Sequence, residues 1–134
     1  MPKLHFRTAE NPSLWATGVE ARYLVLTGEN WRHHYPTPPP EADFTRSIYI
    51  VAQRGIQPSA GYYVKIRDIN QNKDTIAVQV ETAEPSLKQE YAQVLTNPIT
   101  VAEVTKSELK QAGSLNFIFI DRKGKLLSAM NVKV

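Results

Sequence analysis

Few side chains in this sequence are of the types that carry out catalysis. The histidines are His5, His33 and His34, and two adjacent histidines on a helix point about 100° apart, which disfavours a shared metal. Cysteine is absent, so thiol catalysis, disulfides and thiolate metal sites are excluded. No serine lies in a nucleophile-elbow pattern. The residue types therefore predict no catalytic group, no metal and no cofactor.

The acidic residues are poorly placed for general acid–base chemistry. Glu81, Glu84 and Glu90 lie on or near a predicted turn, where we expect solubilising charges. Asp43 precedes a predicted strand, where its carboxylate should anchor a turn. The enzymatic alternative is a small hydrolase with a site near the adjacent histidines. A pocket that holds a histidine–carboxylate pair would favour that alternative.

The most distinctive stretch of the chain is residues 43–66. Residues 48–51 and 62–66 are rich in β-branched and aromatic side chains, which is typical of strands. Between them, residues 54–61 contain two glycines and a proline, which end both strands and permit unusual backbone angles. This hairpin-type connection differs from the strand-to-helix junction of a phosphate-binding loop, so we predict no nucleotide chemistry.

We predict that this connection is the partner-binding edge of the protein. A loop that is preset by its glycines and proline loses less entropy on binding, and an aromatic neighbour can then serve as an anchor. Adjacent strand residues point to opposite faces, so one tyrosine of the Tyr-Tyr pair can pack inside while the other is exposed. The alternative is that the loop only joins two strands. The predicted partner-binding residues are Arg54, Gly55, Gln57, Pro58, Ser59, Gly61, Tyr62 and Tyr63.

Composition and charge are those of an ordinary globular protein. The 134 residues suggest a single domain, residues 1–134, and 42% of them are apolar. The net charge is +3 with the basic residues scattered among acidic ones, so no basic stripe for nucleic acid is predicted. No apolar run approaches the length of a membrane span, and no apolar signal core follows Met1.

The chain as a whole has the pattern of an all-β protein. We expect an antiparallel sandwich or a partly open barrel with one to three short helical turns, and antiparallel pairing throughout. Helical turns are predicted around Trp15 and Trp31 and after Thr105, where Thr105 and Glu108 match a capping box. Residues 36–40 should be extended as polyproline II, and 68–74 should form a polar turn. Strands are predicted at 3–8, 22–27, 48–51, 62–66, 75–82, 91–95, 99–104, 115–120 and 125–132.

A recognisable series of motifs runs along the chain: a Trp in a short helical turn, Asp-Phe before a strand, a loop with Gly and Pro that ends in Gly-Tyr, and a later Thr-x-Pro element. The residues concerned are Trp31, Asp43, Phe44, Gly55, Pro58, Gly61, Tyr62, Pro85, Thr96 and Pro98. Together they resemble the PrcB-like family, named for a subunit of a bacterial surface protease complex. The resemblance covers about residues 23–104. It departs at residues 59–60, where Ser-Ala replaces the family's Thr-Gly, and alanine disfavours a positive φ at position 60.

The resemblance implies a PrcB C-terminal-like β domain that stabilises or assembles a protease or other surface complex. Its partner would be a protein, which the family suggests is a peptidase, and its location the cell envelope or the exterior. The oligomeric state stays open. We expect Trp31 to pack in the core and not to anchor a partner.

The stretch from Pro58 to Tyr62 also resembles the Asn-Pro-Thr-Thr-Gly-Tyr loop of chagasin-like cysteine-protease inhibitors, which are immunoglobulin-like sandwiches. Those inhibitors carry a second loop with Arg-Pro-Trp or Arg-Pro-Phe, and this sequence has neither. A protease inhibitor is therefore a further alternative, which direct assays of cysteine and serine peptidases would distinguish from a binding module.

Overall fold

Two four-stranded sheets pack face to face in the computed structural model, which describes residues 3–86, 90–111 and 113–134. One sheet has the order β1-β6-β3-β2 and the other β4-β5-β7-β8. This arrangement confirms the all-β sandwich, and the helical segments in the described residues are three 3-10 turns, Pro12–Trp15, Trp31–His33 and Lys106–Glu108. The strands are β1 Arg7–Thr8, β2 Arg22–Leu26, β3 Ser47–Gln53, β4 Tyr63–Asn72, β5 Thr75–Ala83, β6 Ile99–Thr105, β7 Ser114–Ile120 and β8 Leu126–Lys133.

One strand pair departs from the antiparallel expectation. β5 and β7 pair in parallel, from Thr75 opposite Asn116 to Gln79 opposite Ile120, so the prediction of antiparallel pairing throughout is wrong here. Parallel neighbours need a crossover connection. After β5 the chain passes to the other sheet as β6 and then returns as β7, so β5 and β7 run in the same direction.

The main core lies between the sheets and follows the period-two pattern of the sequence. Ile76, Val78 and Val80 of β5 point inward, while alternate residues of that strand face outward. They pack in one buried cluster with Phe117 and Phe119 of β7. Alternation therefore predicts the buried face of these strands correctly.

A second, smaller core covers the outer face of the first sheet. All seven residues of β3 are buried, because its outer side chains, including Tyr49 and Val51, are covered by aromatic residues of the first two 3-10 turns. Trp15 and Tyr49 have ring centroids 4.9 Å apart, and Trp31 stacks on Phe44 at 6.2 Å. The expectation that Trp31 packs in the core is confirmed.

Strand β4 is longer than the sequence indicates. Residues 68–74 were expected to form a polar turn, but β4 continues to Asn72 and only Lys73 and Asp74 make the turn. A β-bulge after Ile66 shifts the alternation, so Ile69 and Gln71 point into the protein. Polar composition concealed this strand because half of its residues face outward.

Other local expectations are also corrected. Residues 91–95 form no strand, and the neighbouring contact is a single bridge between Gln57 and Thr96. The chain bends at residues 36–37 and is not fully extended there. The Thr105 side chain makes no capping hydrogen bond, because its hydroxyl lies 3.4 Å from that of Ser107 instead.

The N-terminal segment crosses from one sheet to the other. Leu4 donates a backbone hydrogen bond of 2.8 Å to the carbonyl oxygen of Ile69 in β4, whereas Arg7 and Thr8 pair with β6. Within the predicted strand over 3–8, β1 therefore takes up only Arg7 and Thr8, and Lys3 forms a single bridge to Asn70. Within the described residues, no helix has the length and apolarity that crossing a membrane would require.

Candidate functional site

The predicted partner-binding loop connects the two sheets. β3 belongs to the first sheet and β4 to the second, so residues 54–62 pass between layers and the hairpin-type reading of this connection is wrong. Gly55 allows the passage with φ of 91°, in the left-handed region. A Cβ at this position would lie 2.9 Å from the backbone nitrogen of Ala21, so the space also excludes a side chain.

Backbone contacts hold the first half of this loop against the N-terminal part of the chain. Ile56 donates a backbone hydrogen bond of 3.0 Å to the carbonyl oxygen of Val19. The amide of Asn97 joins three segments, since its oxygen accepts from Gly55 N–H at 3.1 Å and its nitrogen donates to Gly18 at 3.3 Å. Residues 17–21 therefore lie beside the loop.

The second half of the loop is bonded to residues 90–98. Gln57 and Thr96 exchange backbone hydrogen bonds of 2.7 and 2.9 Å. The Thr96 hydroxyl donates to the carbonyl oxygen of Ser59 at 2.8 Å, and Ala60 donates to that of Ala92 at 3.1 Å. We call residues 17–21, 54–63 and 90–98 together the loop platform.

A buried glutamine fixes residues 17–21 of the loop platform. Gln53, the last residue of β3, is 1% exposed. Its amide oxygen accepts from the N–H of Thr17 at 2.9 Å, and its amide nitrogen donates to the carbonyl oxygens of Thr17 and Glu20 at 2.8 and 2.7 Å. This buried side chain thus bonds three backbone groups of residues 17–20.

Arg54 acts as a clamp within the protein. Its guanidinium donates to the carbonyl oxygens of Ala83 at 2.5 Å and Tyr63 at 3.3 Å, and lies 3.4 Å from a carboxylate oxygen of Glu84. It also lies 5.0 Å from the ring centroid of Tyr62. The Arg54 side chain is only 16% exposed, so its observed role is to join the loop to the ends of β4 and β5.

Gly61 is required for space and not for its φ. The residue is outside the left-handed region, as is Ala60, so the Ser-Ala departure from the family pattern is compatible with the backbone here. A Cβ at Gly61 would lie 2.8 Å from Cβ of Pro85 and 2.9 Å from a ring carbon of Tyr91. The buried Ser59 supports this turn, since its hydroxyl accepts from the Gly61 N–H at 3.3 Å.

Only two of the predicted partner-binding residues are exposed. Pro58 is exposed, and Tyr63 is 45% exposed with its hydroxyl donating to Glu81 at 3.3 Å. Tyr62 is half-buried against Arg54. One tyrosine of the pair is thus exposed and the other is more buried, as expected. The remaining predicted residues, Gly55, Gln57, Ser59 and Gly61, are buried or half-buried and shape the backbone.

The loop platform also presents apolar side chains that the sequence reasoning missed. Val19 is 65% exposed, Ile56 42% and Leu95 75%, and each comes from a different segment of the platform. The exposure of Ile56 could have been predicted, because this isoleucine lies in a loop that contains glycine and proline. Val19 and Leu95 had none, because their approach depends on contacts between segments that are far apart in the sequence.

A cleft adjoins the same platform. Its volume is about 530 Å³, and it is lined by Pro58, Ser59, Pro85, Glu90, Tyr91 and Gln93. The prolines and the tyrosine make one part apolar, while Glu90 and Gln93 are polar. The cleft therefore provides a concave surface beside the loop, formed in part by the loop residues Pro58 and Ser59.

The buried carboxylate of Glu81 is paired with two cationic side chains. Glu81 was expected to be a solubilising charge, but it is 5% exposed, lying 3.0 Å from Arg67 and 3.4 Å from Lys65. Burial works to raise the pKa of Glu81, but the hydrogen bond and charge of Arg67 and those of Lys65 outweigh it, so its pKa lies below the ordinary value. A carboxylate held ionised in this way is a poor general base at neutral pH.

Glu103 has a similar environment at the other end of the sandwich. One carboxylate oxygen lies 2.6 Å from Arg7, and the other accepts from the hydroxyls of Ser47 at 2.8 Å and Tyr49 at 3.3 Å. Burial opposes ionisation, but these partners outweigh it and hold the pKa of Glu103 below its ordinary value. Asp43 anchors a turn as expected, accepting from the hydroxyl and the N–H of Thr45.

The adjacent histidines form no recognisable catalytic site. His33 and His34 are exposed at the second 3-10 turn. Partial desolvation of the imidazole and then the positive charges of His33 and Arg22 lower the pKa of His34. Across residues 3–86, 90–111 and 113–134, no group of three or more His, Asp or Glu side chains has the geometry to hold a metal.

Comparison with known proteins supports the family resemblance. Residues 48–105 match the family model described as PrcB C-terminal, which confirms the resemblance over that span. The match extends from β3 to β6 and so contains two of the three segments of the loop platform. A search of curated proteins finds no match, and neither does a search of solved structures.

Proposed function

We propose, starting from the match to the PrcB C-terminal family, that this chain is a non-catalytic domain that binds a protein component of a protease complex. The family is named for a subunit of such a complex, and the match covers the strands that carry the central loop. The contact surface in this proposal is the loop platform.

The observation that carries the proposal is the preorganisation of this platform. Its segments are joined by the Gln57–Thr96 pair, the Asn97 amide and the Gln53 amide. A surface that is fixed before binding loses little conformational entropy when a partner docks. The hydrogen bonds that join the loop to residues 17–21 and 90–98 therefore support a binding role.

Exposed side chains give the platform a means of contact. Ile56 and Tyr63 are large and exposed, and Val19 and Leu95 add apolar surface. Tyrosine is enriched among residues that dominate binding energy, particularly where surrounding groups exclude water. Tyr63 is also held in place by Glu81, so its ordering costs less on binding.

The proposal is tested by first capturing the partner from the source organism and then studying the purified pair. Hydrogen exchange of this chain with and without the partner should show slower exchange at the amides of residues 54–63 and 90–98. Protection confined to other parts of the chain would contradict the loop platform as the contact surface.

The two alternative functions predict different results in enzyme assays. An inhibitor would block cysteine or serine peptidases in stoichiometric amounts, whereas a binding domain leaves their active sites free. A hydrolase would lose its activity when His33 and His34 are replaced. We expect no inhibition, because the sequence lacks the Arg-Pro-Trp or Arg-Pro-Phe loop that chagasin-like inhibitors carry. We expect no hydrolysis, because the described carboxylates and histidines lack a catalytic arrangement.

A further inference from the structure

The outer edge of β8 differs from the other sheet edges of this protein. Edge strands expose backbone hydrogen-bonding groups, and proteins usually shorten, charge or cover them. β1 has two residues, and β2 has five and begins with the charged Arg22. β4 carries Lys65, Arg67 and Asp68 and is bridged by the N-terminal segment. β8 has eight residues, with no charged residue before Lys133.

The direction of the exposed backbone groups follows from the pairing of β8 with β7. Val134 donates a backbone hydrogen bond of 2.9 Å to Gly113, which sets the alternation of bonded and non-bonded pairs along the ladder. Ala129, Asn131 and Lys133 are then non-bonded with β7, and their N–H and C=O groups point away from it. Consistent with this register, Asn116, opposite Asn131, donates its N–H to Asp74 instead.

Side chains leave this part of the edge open. Ala129, Asn131 and Lys133 are exposed, while Met130 and Val132 pack against the core. In the described part of the chain, β7 is the only strand paired with β8. A bulge near Leu127 disturbs the beginning of the strand, so residues 128–133 form its regular part.

The charges beside this edge indicate the chemistry of an incoming strand. Arg122, Lys123 and Lys125 are exposed in the turn before β8. The Asp121 carboxylate is occupied, accepting from the N–H groups of Lys123 at 2.9 Å and Lys125 at 2.8 Å. The edge of β8 therefore has three positive side chains beside its N-terminal end and the single positive side chain of Lys133 at its C-terminal end.

We propose that the edge of β8 accepts an extended segment of a partner protein, paired antiparallel and carrying acidic residues at its C-terminal end. In antiparallel pairing that end lies beside the cationic turn, where acidic side chains are attracted. A second copy of β8 fits less well, because either orientation brings lysines close to lysines or arginine. Strand addition supplies affinity through the backbone, and the turn supplies preference for acidic sequences. This surface is independent of the loop platform.

Nuclear magnetic resonance titration with two designed peptides tests this proposal. The probe is acetyl-Thr-Val-Thr-Val-Thr-Val-Asp-Asp, and its matched control ends in Lys-Lys. We expect the acidic peptide to shift and protect the amides of Ala129, Asn131 and Lys133, and to bind about tenfold more tightly than the basic peptide at low salt. Added salt should reduce this difference.

Two variants make the test specific. Ala129→Pro removes an outward N–H without removing a bond to β7 and should abolish binding, whereas Ala129→Thr should retain it. If Ala129→Pro lowers the melting temperature sharply, the double variant Lys123→Glu, Lys125→Glu replaces it and should reverse the peptide preference. Absence of shifts on β8 up to about 1 mM acidic peptide, equal affinity for both peptides, or dimerisation through β8 would overturn the proposal.

Discussion

Gln57 and Thr96 exchange two backbone hydrogen bonds, of 2.7 and 2.9 Å, across a gap of nearly forty residues. The pair joins the loop after β3 to the segment before β6. Because both segments also contact residues 17–21, the loop takes its shape from distant parts of the chain as well as from its own glycines and proline.

Replacing Gly61 by alanine should destabilise the protein because the added Cβ collides with Pro85. The contact of 2.8 Å is too short for a real side chain, and overpacking of this kind costs about 1–3 kcal/mol. Gly28→Ala is the matched control, since its Cβ would lie 3.6 Å from Phe44 and the residue is outside the left-handed region. Urea unfolding measures both variants, and equal stability of the two would show that Pro85 moves aside freely.

Gln53→Ala should destabilise the protein and loosen residues 17–21. The substitution removes the side-chain partner of the Thr17 N–H and of the carbonyl oxygens of Thr17 and Glu20, and each lost hydrogen bond costs about 0.5–1.5 kcal/mol. Gln93→Ala, at an exposed position, should have little effect. Thermal unfolding gives the stability and hydrogen exchange gives the local opening. Unchanged exchange at Thr17 would contradict the anchoring role of Gln53.

Glu103 should contribute to a loss of stability in acid. Its pKa is lowered in the folded state, so its contribution is present above the unfolded pKa of about 4.3 and is lost as the pH falls below that value and through the lower folded pKa. Glu103→Gln should therefore be less stable than the wild type near pH 7, with the difference shrinking as the pH falls below about 4.3. Glu29→Gln, at an exposed position, is the control. A constant difference between wild type and Glu103→Gln across this range would refute the assignment.

Local patterns predicted much of the fold. The alternation in residues 75–82 identifies β5 and its buried face, and the apolar run at 115–120 identifies β7. Asp43 anchors a turn as expected because the interaction with Thr45 spans only two positions. These features depend on neighbours in sequence, which a pattern can register.

Contacts between residues far apart in the sequence could not be predicted from local patterns. The parallel pairing of β5 with β7 depends on the route through the other sheet. Gln53 is polar at the end of an apolar strand, and its partner Thr17 lies 36 positions away. Glu81 is buried only because Arg67 and Lys65 of β4 lie beside it. The sequence predicts the loop between β3 and β4. The exposed surface around that loop also includes Val19 and Leu95, which only folding brings near it.

The central claim, that the loop platform binds a protein partner, is tested most directly by calorimetric titration of the purified partner with single variants. Tyr63→Ala and Ile56→Ser should leave the melting temperature nearly unchanged and weaken binding by about 1–3 kcal/mol each. Leu14→Ser is the matched control, since Leu14 is 55% exposed and belongs to a 3-10 turn outside the platform. Wild-type affinity in both platform variants would contradict the claim and place the contact surface elsewhere.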